Sequence, residues 1–254
     1  MHSVNTDQTE RIPLGDILKE CDRLFNSNAK AELGAFLRAW RVRAQNIGDI
    51  SGELSILNEL VGYYRMADDK EHALPAVEDA LRLITENGIE GSLSAGTILL
   101  NIATALCAFG ETEKALQHYN TASQCYFDNL PAGDVRFAGL YNNMASAYLA
   151  AENFVRAEEY YLQAADILSS ANSIMDLAVT YVNLAQLYFR RQEHPDVVNS
   201  TLDCAMLCFN SPDAVHDGYY AHTCTKCAAA FGELGRKDDE EELMTRARSF
   251  YAGN

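Results

Sequence analysis

Positive charge is what this chain has least of. Only 20 lysines and arginines stand against 36 aspartates and glutamates, which leaves a net charge of −16. Proteins that grip nucleic acid neutralise phosphates with clustered Lys and Arg. No nucleic-acid partner is therefore expected, and no anionic membrane surface. Long apolar runs are missing as well: none approaches the ~18 consecutive residues of a membrane span. Residues 1–12, MHSVNTDQTERI, are polar and lack the apolar stretch of a secretory signal. The seven cysteines are an odd number. They read as small core residues of a reduced, cytoplasmic protein rather than as a disulfide framework. There is no phosphate loop, no Gly-x-Ser-x-Gly and no His-Glu-x-x-His. The sequence predicts no enzyme and no cofactor, and it carries no convincing strand.

What the chain does have is amphipathic helix. Hydrophobic residues make up 48% of it, enough to bury a long core. The stretch at 139–168, GLYNNMASAYLAAENFVRAEEYYLQAADIL, reads as two short helices with a turn at Glu152-Asn153. The same pattern predicts further helix pairs at 54–64 and 73–84, 97–109 and 113–126, 177–190 and 195–209, and 214–234 and 237–251. A less regular pair covers 12–25 and 29–47, with Gly48 as its stop. Asp68-Asp69, Thr112 and Ser211 are the expected caps, the last with Pro212 in the first helical position. Pro75 lies inside a helical pattern, so that helix either kinks or starts late.

The pairs repeat. Val61, Ala103, Ala145, Ala185 and Ala228 align at intervals of 42, 42, 40 and 43 residues, and a large residue follows three positions on: Tyr64, Leu106, Tyr148, Tyr188 and Phe231. The second helices add small-large-small sets: Ala73, Val77, Ala80; Ala115, Tyr119, Ala122; Ala157, Tyr161, Ala164. Small residues let helices approach, and large ones fill the gaps between pairs. In the last two units Val197, Thr201 and Cys204, then Glu240, Met244 and Ala247, depart from the set. Long fixed periods of this kind mean a solenoid, in which each unit packs on its neighbours.

This pattern resembles the tetratricopeptide repeat over about residues 54–250. The segments LYNNMA and YVNLA, with the long period, look like the 42-residue variant of kinesin light chains and stand-alone bacterial repeat proteins. The resemblance implies an all-α fold, a right-handed α-α superhelix of about six helix pairs. It divides the chain into a flexible N-terminus (1–11), a divergent helix pair (12–48) and an array of five pairs (49–254). It also implies a protein or peptide partner, held as an extended segment in a concave groove lined by the first helices. Related bacterial peptide-sensing regulators add a DNA-binding helix-turn-helix. The pair before residue 50 is poor in basic residues, so direct DNA binding is not expected.

Carried over residue by residue, the resemblance places Asn58, Glu59, Arg65, Asn101, Thr104, Asn142, Asn143, Ser146, Asn183, Gln186, Arg190 and Lys226 in that groove, with His222 and Thr225 beside them. Asn101, Asn143 and Asn183 share one site in three successive repeats; Lys226 and Glu59 are its equivalents. A side-chain amide offers a donor and an acceptor, so it can pair with an extended backbone whatever its sequence. Such amides also cap and bridge helices, and the row is open to both readings. Arg65, Arg190 and Lys226 are candidates for holding a carboxylate.

Two rival functions come from the same residues. Apolar residues near Leu14 and Phe250 on the terminal helices suit a scaffold or homodimer. His222, Cys224 and Cys227, with His216, suit a metal site, although Cys224 and Cys227 fall at core positions of the repeat. The acidic run 238–242 suits the start of a helix.

Overall fold

A residue with positive φ stands in the turn of each hairpin from the second pair onward. Asp68, Gly110, Glu152, Gln192 and Gly235 have φ of 54°, 79°, 59°, 62° and 88°. They are 42, 42, 40 and 43 residues apart, the intervals of the aligned small residues. The left-handed conformation reverses the chain after each first helix, and only glycine adopts it without steric cost. Three of the five positions are not glycine.

The computed structural model describes residues 10–26 and 29–252. Among the described residues there are twelve α-helices and no strand. They pair as α1 (Leu14–Asn26) with α2 (Lys30–Ile47), α3 (Ile50–Met66) with α4 (Lys70–Glu86), and α5 (Leu93–Ala108) with α6 (Thr112–Asn129). The next pairs are α7 (Arg136–Ala150) with α8 (Phe154–Ser170), α9 (Ile174–Arg190) with α10 (Pro195–Phe209), and α11 (Gly218–Glu233) with α12 (Lys237–Ala252). No helix is long and apolar enough to cross a membrane among the described residues. Most of the segment 1–11 lies outside them.

The chain forms two compact units, Met1–Leu130 and Pro131–Asn254. In the first, Asp49 caps α3 by accepting from Gly52 N–H (3.0 Å) and also accepts from Ile12 N–H (2.9 Å). Arg41 of α2 reaches Glu53 of α3 and Asp79 of α4. The divergent pair is thus tied to the repeats by polar groups, and it buries Ile17, Leu24 and Leu37. In the second unit Arg246 of α12 donates to the Phe209 carbonyl (3.1 Å) and the Tyr220 hydroxyl (3.0 Å). Helix α12 buries only Leu243 and Ala247, a polarity that fits a terminal position in an array.

The aligned small residues are all buried, as are Tyr119 and Tyr161 in the second helices. Side chains of that size contribute roughly 1.5–3 kcal/mol each on burial. The fifth unit differs from its expected register by one residue. Val198, Leu202 and Ala205 are the buried set, so small-large-small holds there, while Val197 is exposed. In the sixth unit Glu240 takes the place of a small residue. It lies against Gly232, where an added Cβ would stand 2.1 Å from its Oε2.

Several helix starts correct the sequence reading. Helix α4 begins at Lys70, capped by Asp69, which accepts from His72 N–H (3.1 Å). It therefore runs through Pro75 instead of starting late, and the Glu71 carbonyl loses its usual N–H partner. Thr112 is the first residue of α6; its N-cap is Glu111, which makes no side-chain cap bond. Ser211 and Pro212 lie in a turn, and α11 starts at Gly218 with Asp217 as cap, accepting from Tyr220 N–H (2.9 Å).

Candidate functional site

Two of the proposed groove residues are already occupied. Buried tyrosine hydroxyls need a partner. Thr104 donates to the Leu100 carbonyl (2.9 Å), which leaves its oxygen to accept from Tyr119 OH (3.1 Å). One repeat on, Ser146 donates to the Asn142 carbonyl (3.0 Å) and accepts from Tyr161 OH (2.9 Å). Burial pushes both phenols above their ordinary pKa, with these bonds opposing. The next repeat breaks the rule on both sides. Leu202 replaces the tyrosine, and Gln186 replaces the hydroxyl. Gln186 is half-buried and has no side-chain hydrogen bond with the described residues.

The asparagines divide in the same way. In the first unit Asn101 Nδ2 donates to Asn58 Oδ1 (2.7 Å), and Asn58 Nδ2 donates to Glu59 Oε1 (3.3 Å). Asn101 is thereby the start of a bridge from α5 to α3. Burial raises the Glu59 carboxyl above its ordinary pKa; the Asn58 bond opposes this and Asp22 adds to it. In the second unit Asn142 Nδ2 donates to Thr180 Oγ1 (2.9 Å), joining α7 to α9, and Asn142 Oδ1 is buried without a partner. Asn143 and Asn183 are half-buried and make no side-chain hydrogen bond with the described residues. They present free amides at the same position of α7 and α9.

Thr180 was not among the sequence candidates. It is fully buried at a register position held by Ile56, Ile98 and Leu140 in the preceding repeats. A polar residue in that apolar column is the signal by which the sequence could have shown it.

Comparison with solved structures identifies the architecture. BtubC (BKLC) from P. vanneervenii superposes with a TM-score of 0.61 at 18% identity, over 96% of this chain and 92% of that one. The nearly identical TPR-like repeats of a kinesin-light-chain structure from Podosopora anserina give 0.56 at 16% identity, over 78% and 94%. PilF of Pseudomonas aeruginosa gives 0.56 at 13%, over 94% and 92%. The fold is that of a tetratricopeptide-repeat protein. No protein-family model matches the sequence, and no curated protein does.

Arg65 and Arg190 stand at the C-terminal ends of α3 and α9, and Lys226 stands in the middle of α11. Arg65, Arg190 and Lys226 are exposed, and none forms an ion pair among the described residues. His222 and Thr225 are exposed beside Lys226, with Thr225 donating to the Ala221 carbonyl (3.1 Å). The cysteines behave as repeat core. Cys224 and Cys227 are buried, and burial drives the Cys227 thiol up to about 12. His222 points to solvent instead, and no three metal-ligating side chains gather among the described residues. The helix-dipole reading of residues 238–242 agrees with their place in the first turns of α12.

Near the α9–α10 turn lies a cavity of about 560 Å³, lined by Phe189, Arg190, Gln192, Glu193, Pro195, Val198, Asn199 and Leu234. Of the sequence candidates it includes only Arg190. The rest of its wall comes from the end of α9, the α9–α10 turn, the start of α10 and the C-cap of α11, whose joint position repeat alignment does not report.

Proposed function

We propose that this tetratricopeptide-repeat chain is a binding protein for an extended peptide segment of another polypeptide, with the amides of Asn143 and Asn183 fixing the peptide backbone. The observation that carries this reading is that neither amide has a hydrogen-bond partner among the described residues, at one equivalent position of successive first helices. Half-buried amides normally find protein partners, as Asn101 and Asn142 do. Two left open in register can offer donor and acceptor pairs to an extended chain. Gln186 adds a third. The mechanism in this reading is binding alone.

The test is affinity capture from a cell extract by the wild type and by an Asn143→Ala, Asn183→Ala variant of matching helicity. Bound polypeptides are identified by mass spectrometry, and the peptide segment is then titrated. Two amides at roughly 1 kcal/mol each predict a loss of about thirtyfold in affinity. Equal affinity for both proteins would sink the reading. Capture of nothing but the chain itself transfers support to self-association, for which exposed Leu18 and Phe25 on α1 supply apolar surface.

A further inference from the structure

The first unit holds a cavity of about 350 Å³ that none of the groove candidates lines. Three helices wall it with residues one turn apart: Arg38 and Val42 on α2, Leu60 and Tyr64 on α3, and His72 and Ala76 on α4. Arg41 of α2 pairs with Asp79, well along α4. The Asp69 carboxyl, which caps α4, is held below its ordinary pKa by its bonds to His72 and then by the charge of Arg38. Arg38 therefore stands towards the start of α4, beside His72. Val42, Leu60 and Ala76 make the rest of the space apolar.

Two donors at the polar end are unspent. Arg38 is exposed and forms no ion pair among the described residues. Tyr64 is only 5% exposed, and its hydroxyl makes no hydrogen bond with the described residues. Other buried tyrosine hydroxyls are partnered: Tyr119 by Thr104, Tyr161 by Ser146 and Tyr220 by Arg246. Among the described residues, Asn142 Oδ1 is the one side-chain polar atom both sealed from solvent and unpartnered. The Tyr64 hydroxyl therefore meets open space, and the space that Tyr64 lines is this cavity. His72 stacks on the same ring with centroids 5.6 Å apart, and its Nδ1 is held by Asp69 at 2.8 Å.

We propose that this cavity binds a small organic monoanion, with its carboxylate between Arg38 and the Tyr64 hydroxyl and a compact apolar body against Val42, Leu60 and Ala76. A carboxylate has two oxygens and one charge. One guanidinium cancels that charge, and the phenol supplies a further donor. A dianion leaves a charge uncancelled, because Arg41 is committed to Glu53 (3.4 Å) and Asp79. An ammonium ion meets like charge at Arg38. A purely apolar molecule leaves the buried phenol without a partner. The site shares no residue with the Asn143 and Asn183 pair and stands apart from the peptide-binding reading.

The test uses the whole protein and three probes: benzoate, its neutral counterpart benzamide, and the dianion phenyl phosphate. Methyl NMR shifts of Val42, Leu60 and Ala76 report occupancy. Benzoate is expected to bind at around a millimolar, and at least about fivefold more tightly than either other probe, as a charge-assisted bond predicts. Arg38→Gln, at an exposed position, should erase the preference over benzamide and leave benzamide binding unchanged. Tyr64→Phe should weaken benzoate by about fivefold without lowering the urea midpoint, because the hydroxyl has no described partner to lose. Equal affinities for benzoate and benzamide, a preference that survives Arg38→Gln, or no saturable shifts at the three methyl residues would overturn the proposal. Tighter binding of phenyl phosphate would overturn the monoanion assignment. A fall in the Tyr64→Phe midpoint would show that the hydroxyl is spent within the protein and remove it from the site. The Asn143→Ala, Asn183→Ala variant should bind benzoate as the wild type does, so the two readings fail separately.

Discussion

The two compact units use the same residue types at the same repeat positions for opposite ends. In the first, Asn101 is spent on Asn58, and Asn58 on Glu59. In the second, Asn143 and Asn183 are spent on nothing described, because Asn142 and Thr180 make the inter-helix bridge in their place. A repeat position is thus a location on a helix face and not a role. The role follows from whether a neighbouring side chain has claimed the hydrogen-bonding capacity.

The sharpest way to break this contrast is to exchange the readouts. Asn101→Ala is expected to leave peptide affinity unchanged and to cost about 1 kcal/mol of stability, since it strands Asn58 Oδ1. Asn143→Ala with Asn183→Ala is expected to lose about thirtyfold in affinity and to keep stability within about 0.5 kcal/mol. Denaturant unfolding and peptide titration on both variants decide it. A stability loss confined to the Asn143 and Asn183 variant means that the free amides are structural.

The hydroxyl pairs allow a second comparison inside the second unit. Tyr161→Phe removes the bond to Ser146 and is expected to cost about 1 kcal/mol. Ser146→Ala strands the Tyr161 hydroxyl, which is fully buried, and is expected to cost somewhat more, about 1–3 kcal/mol. Gln186→Ala has no such partner to strand and should be near neutral. Urea midpoints at a constant slope measure all three. A loss at Gln186 comparable to the loss at Ser146 would show that Gln186 is structural too.

Much of this was legible beforehand, and the part that was not has a common cause. The fold follows from the spacing of small residues, because backbone approach demands them at fixed intervals. Helix ends were less legible, because caps act one residue at a time: Asp217, five residues after Pro212, starts α11 despite the better-looking Ser-Pro signal. The one-residue slip at Val197 arose from aligning the hairpins at a constant spacing across a turn that is one residue longer than those before it. The division of the asparagines could not be read from a single position. It lies in pairs, in Asn58 with Asn101 and in Asn142 with Thr180, just as the hydroxyl and its partner change together in Thr104 with Tyr119, Ser146 with Tyr161 and Gln186 with Leu202.

A smaller effect tests the turn geometry common to both units. Glu152 holds φ of 59° where the preceding repeat has Gly110 at 79°. Its side chain is exposed. Glu152→Gly should stabilise the protein by about 1 kcal/mol, the relief of a left-handed non-glycine residue less the entropy of a glycine. Gly110→Ala should destabilise by a similar amount. The two variants measured by urea unfolding should move in opposite directions; movement in the same direction would show that the turns are not equivalent.

The last and smallest effect concerns Glu59, the acidic member of the asparagine row. Burial raises its carboxyl, with Asp22 adding and the Asn58 bond opposing. A carboxyl with a raised folded pKa binds its proton more tightly in the native state. Its contribution is fully present below the unfolded value of about 4.3 and is lost as pH rises through the folded value. Glu59→Gln keeps the acceptor for Asn58 and removes the charge. Variant and wild type should therefore match in stability below the unfolded pKa, and the variant should gain as pH rises past the folded one. That gain is expected without any change in peptide affinity, because Glu59 sits at the end of a bridge already closed within the first unit. A gap between the two proteins that stays constant with pH would mean that Glu59 is not titrating in its buried site. A change in affinity would return the first-unit position to the binding surface.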